Sequence, residues 1–218
     1  MIDFERARRT MVDNQVRTRG VTDRRLLAAL LAIPRERFVP EARRPLAYLD
    51  EGVALDGGRR LGGAAPFARL VQLAAIEGDE TVLDVGAASG YSTAVLARLA
   101  ARVVGLESDA GLAATARATL AALGIDNAGI VEGDLATGGK AKGPFDVVVV
   151  EGVIFEEPTA LLGLLKTDGR LVALLSQDGR PPVAHLYVKS GKGISARAEF
   201  DARLPPVPIP QRGDAFVF

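Results

Sequence analysis

The sequence predicts an α/β fold: a doubly wound, mostly parallel sheet with an antiparallel C-terminal hairpin and a helical N-terminal extension. Three observations predict it. From Thr81 to Leu175, short apolar strand-like runs alternate with helix-like runs, the pattern of βαβ units with right-handed crossovers. Val147 to Val150 are apolar without alternation, as a parallel strand buried on both faces requires. Val183–Lys189 and Ser195–Asp201 are joined by Ser190-Gly191-Lys192-Gly193 with no helix between them, which reads as a hairpin.

Residues 3–17 are polar and arginine-rich and form a short helix. Thr22 or Asp23 caps a second helix, whose Leu26, Leu27, Leu30 and Leu31 share one face. Pro34 and Pro40 break that pattern. Residues 41–65 are glycine-bearing and loop-rich, with room for short strands. Pro66 suits the first turn of a helix, and Phe67, Leu70, Val71 and Ala74 follow at helical spacing. The core then runs Thr81–Val85 (strand), Tyr91–Leu99 (helix), Arg102–Leu106 (strand) and Ala110–Leu123 (helix, stopped by Gly124). It continues with Ala128–Val131 (strand), Phe145–Val150 (strand), Pro158–Leu165 (helix) and Arg170–Leu175 (strand). Proline geometry holds residues 205–210 extended. Residues 1–65 are read as helices and a substrate-side loop segment packed on a core of residues 66–218, the whole making one structural domain.

Composition removes several classes of chemistry. The chain of 218 residues has no cysteine and one histidine, so disulfides, thiolate catalysis and cysteine or histidine metal sites are excluded. Lys plus Arg and Asp plus Glu both number 27, and this balance argues against a broad nucleic-acid footprint. The longest apolar run, Leu26 to Ile33, is too short to span a bilayer. The first residues lack the basic-then-apolar layout of a signal peptide, so a cytoplasmic protein is expected.

An open parallel sheet places its ligand beyond the carboxyl ends of its strands. There the chain reads Val82-Leu83-Asp84-Val85-Gly86-Ala87-Ala88-Ser89-Gly90-Tyr91. Gly86 and Gly90 permit a sharp turn and close backbone approach, with Ala87 and Ser89 between them. The spacing is Gly-x-x-x-Gly, not the dinucleotide Gly-x-Gly-x-x-Gly. Asp84 is poorly placed for a pyrophosphate but suits a ligand with a positive amino group. S-adenosylmethionine (SAM) has such a group, a sulfonium and no phosphate. Glu107, with Ser108 beside it, lies roughly 20 residues after Gly86, the spacing of an acidic ribose ligand. Asp134 and Leu135 follow the third core strand, where a polar side chain meets the adenine edge. Each of these alone is an ordinary turn residue; together and in order they indicate a SAM pocket, with S-adenosylhomocysteine as the product.

On these residues the chain resembles class I SAM-dependent methyltransferases, and more narrowly the protein-L-isoaspartate O-methyltransferase family. The resemblance runs from about residue 11 to residue 201. It rests on Pro34-Arg35-Glu36-Arg37-Phe38-Val39-Pro40, Ala47-Tyr48-Leu49-Asp50-Glu51, the cofactor turn, Gly133-Asp134, Phe145-Asp146-Val147-Val148-Val149 and Gly169-Arg170-Leu171-Val172. It implies a Rossmann-like fold, SAM as cofactor, and methyl transfer to a carboxylate of a damaged protein or peptide. The family's Thr-Ile-Ser-x-Pro motif is here Gly62-Gly63-Ala64-Ala65-Pro66, so Ala64 replaces its serine and Gly62 its threonine. Ala88 replaces the central glycine of the cofactor turn, and Glu151-Gly152 stands where family members have small or threonine-like residues.

Arg59 and Arg60 are substrate-side candidates that would bind a substrate or cofactor carboxylate bidentately, or a solvated pair. Glu151 ends a buried strand, where it would hold a substrate amine, touch the cofactor or cap the loop. Ser89 reads as a loop ligand or helix cap, and His185 as structural. Asn14-Gln15-Val16-Arg17 reads as a lid over the cofactor or as a solvated helix. Two functions remain: a SAM-dependent O-methyltransferase, or a SAM-binding sensor or interaction module that has lost transfer. A dinucleotide-dependent dehydrogenase has the wrong glycine spacing.

Overall fold

Residues 2–209 are described by a computed structural model of the chain. Helix α1 (Phe4–Met11) is capped by Asp3, whose carboxylate accepts the Arg6 N–H at 2.9 Å. It runs into a π-helical turn, Val12–Val16, and a 3-10 turn, Arg17–Arg19. Of the two residues weighed as the next cap, Asp23 takes the role: its side chain accepts the N–H groups of Arg25 and Leu26 at the start of α2 (Arg24–Ala32). Leu26, Leu27 and Leu30 are buried, whereas Leu31 falls at the edge of the stripe and is exposed. A 3-10 segment, Arg35–Phe38, follows α2; a second, Glu41–Leu46, and a two-strand ribbon, β1 (Val53–Ala54) with β2 (Arg60–Leu61), lie in the loop-rich stretch. Pro66 sits in the first turn of α3 (Ala64–Ala74).

The main sheet comprises β3 (Thr81–Val85), β4 (Arg102–Glu107), β5 (Ala128–Glu132), β6 (Phe145–Ile154), β7 (Leu165–Leu175), β8 (Val183–Ser190) and β9 (Gly193–Asp201). Their order is β5-β4-β3-β6-β7-β8-β9. The first five are parallel; β8 is antiparallel to β7 and to β9. Chain order reverses between β3 and β6, which creates the switch point where a ligand binds.

Helices α4 (Tyr91–Leu96) and α5 (Ala110–Ala122), with α2 and α3, pack on the sheet face carrying Val82, Val103, Val147 and Val172. The other face, with Leu83, Val104, Val148, Leu171 and Tyr187, is covered by Leu135, Val207 and α6 (Thr159–Leu162). Residues of the N-terminal extension, including Met11, Val16 and Phe38, share the first cluster.

Several expected boundaries move; the helix after β3 ends at Leu96 rather than Leu99, and β7 begins at Leu165 rather than Arg170. The helix expected over Pro158–Leu165 is only one turn, because the chain beyond Gly163 is taken by the sheet: the Leu164 carbonyl accepts the Phe145 N–H at 2.9 Å and Leu165 pairs with Phe145. β6 runs past Val150 through a bulge. Val149 pairs with Val172 and Val153 with Leu174, so Val150, Glu151 and Gly152 have no partners in register on β7. Bulges of this kind re-aim side chains beside functional sites. The tail docks on the far end of β6: the Val153 N–H donates to Pro205 O at 3.0 Å and the Val207 N–H to Val153 O at 2.9 Å. Pro206 forms an isolated parallel bridge with Val153, but the extended run expected over 205–210 is interrupted: the Ile209 N–H donates to Val207 O at 2.8 Å, a tight turn about Pro208, and Pro210 lies outside the described residues. Among the described residues, no helix is long and apolar enough to cross a membrane.

Candidate functional site

Strand periodicity builds the site. Val82 and Leu83 belong to opposite faces, so Asp84 shares the face of Val82, toward α4. By the same parity Glu107 follows Val103, and Glu151 follows Val147 and Val149. Three neighbouring strands, β4, β3 and β6, thus each carry one carboxylate toward their carboxyl ends on one face of the sheet.

The turn after β3 folds as its sequence suggests. The Gly86 and Ala87 N–H groups donate to Leu106 O at 2.9 and 3.0 Å, and the Gly90 N–H donates to Ala87 O at 2.8 Å. Gly86 has φ +83° and Gly90 φ +90°. Their tasks differ. A Cβ on Gly86 would lie 3.0 Å from Val207 and 3.3 Å from Nη2 of Arg59, on the ligand side of the turn. A Cβ on Gly90 would lie 2.9 Å from the Ala116 Cβ, so Gly90 lets α5 pack against the turn. Ala87 and Ser89 are buried, and the Ser89 hydroxyl has no partner among the described residues.

Ala88 occupies the left-handed region at φ +48°. There an L-residue carries roughly 1–2 kcal/mol of steric cost that glycine avoids. Glycine's larger unfolded-state entropy returns part of this, so Ala88→Gly is expected to stabilise the chain by about 0.5–1 kcal/mol. Thermal unfolding checks it; a lower Tm would mean that the buried Ala88 methyl contributes more by packing than its backbone costs.

Asp84 is fully buried. It accepts hydrogen bonds from Ser92 Oγ at 2.7 Å and Thr93 Oγ1 at 2.6 Å, both on its Oδ2. Its Oδ1 is buried and unpartnered. Burial pushes its pKa up to about 6, the two hydroxyls pull it down and the Glu107 charge raises it again. Glu151 lies beside it, also with a buried and unpartnered Oε1. Burial raises the Glu151 carboxyl well above its usual range and Asp84 raises it further, while Arg35 and Arg59 oppose the shift. Asp84 receives two hydroxyl donors and Glu151 none, so of this pair Asp84 ionises first.

Glu107 is the most heavily engaged acid. The Ala88 N–H donates to Oε2 at 2.7 Å, and the Ser108 and Asp109 N–H groups donate to Oε1 at 2.9 and 3.0 Å. Arg59 Nη1 reaches both oxygens, at 2.8 and 2.9 Å, and Nη2 donates to Gly86 O at 3.1 Å. The two arginines therefore separate. Arg59 does bind a carboxylate, but that of Glu107, so a ribose must share the acid with it or displace it. Arg60 is exposed and donates to Gly52 O, because alternation along β2 turns it away from the site; the substrate-side role expected for it is not supported. An open cleft of about 600 Å³ passes from Arg59 and Ser108 to Phe155 and Val207.

Asp134 folds onto its own turn: Oδ1 accepts the Thr137 N–H and hydroxyl, both at 2.8 Å. Leu135 is buried under the second face. His185 is structural, with Nδ1 at 3.0 Å from Val183 O and its ring stacked near Tyr187. The 14–17 segment is anchored: Gln15 Nε2 donates to Tyr48 O at 2.9 Å, Val16 is buried, and Arg17 pairs with Asp13.

Arg35 is a residue that sequence reasoning missed. Its side chain is fully buried, donates from Nε to Ala47 O at 2.7 Å and from Nη2 to Gly62 O, and lies 4.6 Å from the Tyr91 ring centroid. It ties the start of α3 to the start of α4 and faces Glu151. An Arg-Glu-Arg triplet between prolines resembles a solvated loop; only the apolar Phe38 and Val39 behind it hint that the segment turns inward.

The orphaned oxygens of Asp84 and Ser89, the Gly86 cradle and the Glu107 acid fit a ligand that carries a cationic amino group and a ribose. Comparisons with known proteins agree with that donor set. The model of the Protein-L-isoaspartate(D-aspartate) O-methyltransferase family matches residues 6–207. Protein-L-isoaspartate O-methyltransferase 2 of Anaeromyxobacter sp. (strain Fw109-5) is 39% identical, covering 96% of this chain and 85% of the relative. The Koribacter versatilis protein-L-isoaspartate O-methyltransferase is 38% identical, covering 85% and 81%. A crystal structure of a Plasmodium falciparum protein-L-isoaspartate O-methyltransferase in complex with S-adenosyl-L-homocysteine superposes with a TM-score of 0.79, covering 92% of this chain and 97% of the other; at 22% identity it speaks to the fold.

Proposed function

The chain belongs to the protein-L-isoaspartate O-methyltransferase family, and from that premise we propose that it transfers a methyl group from SAM to the side-chain carboxylate of isoaspartyl residues in damaged proteins or peptides. The chain is a SAM-dependent methyltransferase. What supports the acceptor most is the length of the match: it spans residues 6–207 and includes the N-terminal segment outside the cofactor core.

SAM supplies an electrophilic methyl group on a sulfonium; a carboxylate oxygen takes it, the carbon–sulfur bond breaks, and its electron pair stays on sulfur. No proton moves, so the residues act by binding, orientation and exclusion of water. Asp84 Oδ1 would hold the amino group, with Gly86, Ala87, Ser89 and Gly90 forming the turn around it. Glu107, aided by Ser108, would accept the ribose hydroxyls. Asp134 and Leu135 would border the adenine. Arg59 neutralises Glu107. The second reading, a SAM-binding module without transfer, is not favoured, because Asp84, Gly86, Gly90 and Glu107 are all present and the matched relatives are methyltransferases.

Incubation with methyl-labelled SAM and paired peptides, one isoaspartyl and one aspartyl, tests the reading. Base-labile methyl ester on the isoaspartyl peptide alone is expected. Tight SAM binding with no ester on either peptide would defeat it.

A further inference from the structure

Glu151 is half-buried, and of the three acids at the switch point it is the one with no hydrogen-bond partner among the described residues and no assigned role. The three carboxylates stand side by side in a definite order. Glu107 on β4 serves the ribose side, and Asp84 on β3 the amino-acid side. Glu151 on β6 lies beyond them, facing Arg35, whose guanidinium reaches the Gly62 carbonyl ahead of α3. Donors are few there: the Tyr91 hydroxyl at the start of α4 is buried without a partner among the described residues. Gly62, Gly63, Ala64 and Ala65, which open α3, have no polar side-chain atom. The guanidinium of Arg35 is engaged by Ala47 O and Gly62 O. The bulge at Val150–Gly152 frees the Glu151 segment from β7, and its Oε1 is buried without a partner.

We propose that Glu151, as a neutral carboxylic acid, donates a hydrogen bond to one oxygen of the acceptor carboxylate and so presents the other oxygen to the methyl group. This rests on the isoaspartyl reading above. Charge balance supports it. The groups facing Glu151 are Asp84 from β3, Arg35 from the 3-10 segment, Arg59 from the β1–β2 loop and Tyr91 from the start of α4. Arg59 and Glu107 neutralise each other, and Arg35 offsets Asp84. With Glu151 neutral the protein contributes no net charge, and the positive charge of SAM is met by the acceptor carboxylate. An ionised Glu151 would leave one extra buried negative charge beside a second carboxylate, an arrangement that cannot keep both ionised. The raised affinity of Glu151 for its proton is the same effect seen from the protein's side.

The test uses the full chain saturated with S-adenosylhomocysteine and an acetylated, histidine-free isoaspartyl hexapeptide, titrated calorimetrically from pH 6 to pH 9. In parallel, wild type is assayed with labelled SAM and the same peptide. Glu151→Ala is expected to weaken peptide binding by roughly 10- to 100-fold, the loss of a hydrogen bond to a charged group. Glu151→Gln, whose amide still donates, is expected to recover most of that affinity. Wild-type affinity is expected to fall toward high pH as Glu151 ionises, and Glu151→Gln to remove that fall. S-adenosylhomocysteine affinity of each variant reports an intact site; if Glu151→Ala loses it, the pH profiles of wild type and Glu151→Gln decide alone. Peptide affinity unaffected by Glu151→Ala, or Glu151→Gln as weak as Glu151→Ala at every pH, would overturn the proposal. The second outcome would point to an ionised Glu151 and an amine acceptor. Absence of ester from wild type would instead sink the isoaspartyl reading itself.

Discussion

Replacing Glu107 with alanine is expected to cost about 3–5 kcal/mol of folding stability, because it strips a buried cation of its partner. Glu107 is 0% exposed and Arg59 only 12%. The variant leaves the guanidinium of Arg59 with only Gly86 O, and it orphans the N–H groups of Ala88, Ser108 and Asp109. In a chain of this size that is a fall in Tm of roughly 10 °C. SAM affinity is expected to fall at least about 100-fold, since two charge-assisted hydrogen bonds to the ribose disappear. The double variant Arg59→Met/Glu107→Ala separates the two effects. It removes the uncompensated cation and is expected to recover about 1–2 kcal/mol of stability. It should recover none of the SAM affinity, because the ribose acceptor is still missing. Thermal unfolding and calorimetry on the three proteins check this. If the double variant regained SAM binding along with stability, Glu107 would be a structural acid that only holds the turn.

The sheet was largely legible because its signals are local. Thr81–Val85 appears with the boundaries that alternation and turn residues suggest, and the hairpin after Val183 follows from a glycine link too short for a crossover. The acids at the switch point were legible for the same reason: each lies toward the carboxyl end of an apolar strand run, and a period of two places them on one face. Long-range pairing was not legible. Arg59 and Glu107 are 48 residues apart, and nothing in either local context distinguishes Arg59, which turns inward, from Arg60, which does not. The bulge in β6 and the shortening of α6 depend on what β7 takes for pairing, so Phe145–Val150 and Pro158–Leu165 were read one too short and the other too long. Arg35 illustrates the remaining gap. Its charge suggests solvent, yet the carbonyls of Ala47 and Gly62 and the face of Tyr91 solvate it inside the protein.

Replacing Asp84 with asparagine is expected to move stability and cofactor affinity in opposite directions. The carboxyl has a folded-state pKa of about 6, raised from 3.8 first by burial. Between those values the folded chain keeps a proton that the unfolded chain releases. Stability therefore falls as pH rises through the window, and at pH 7 the buried anion costs roughly 3 kcal/mol relative to strong acid. Asparagine removes the anion and keeps an oxygen for Ser92 and Thr93, but leaves its amide without a partner. The ligand-free variant is expected to be as stable as wild type at pH 7, or more stable by about 1–2 kcal/mol. A bound ammonium reverses the balance, because it compensates the very charge that burial penalises. SAM affinity should thus depend on ionised Asp84 and weaken about tenfold per pH unit below about 6. In Asp84→Asn it should be at least about 100-fold weaker and flat across that range, as the charge-assisted bond is gone. Calorimetry from pH 5 to pH 8, with thermal scans of the ligand-free proteins, reads both quantities. A variant that loses stability at pH 7 while binding SAM as wild type does would make Asp84 a cap for Ser92 and Thr93 alone. The expected pattern would instead mark it as a charge the fold tolerates because the cofactor needs it.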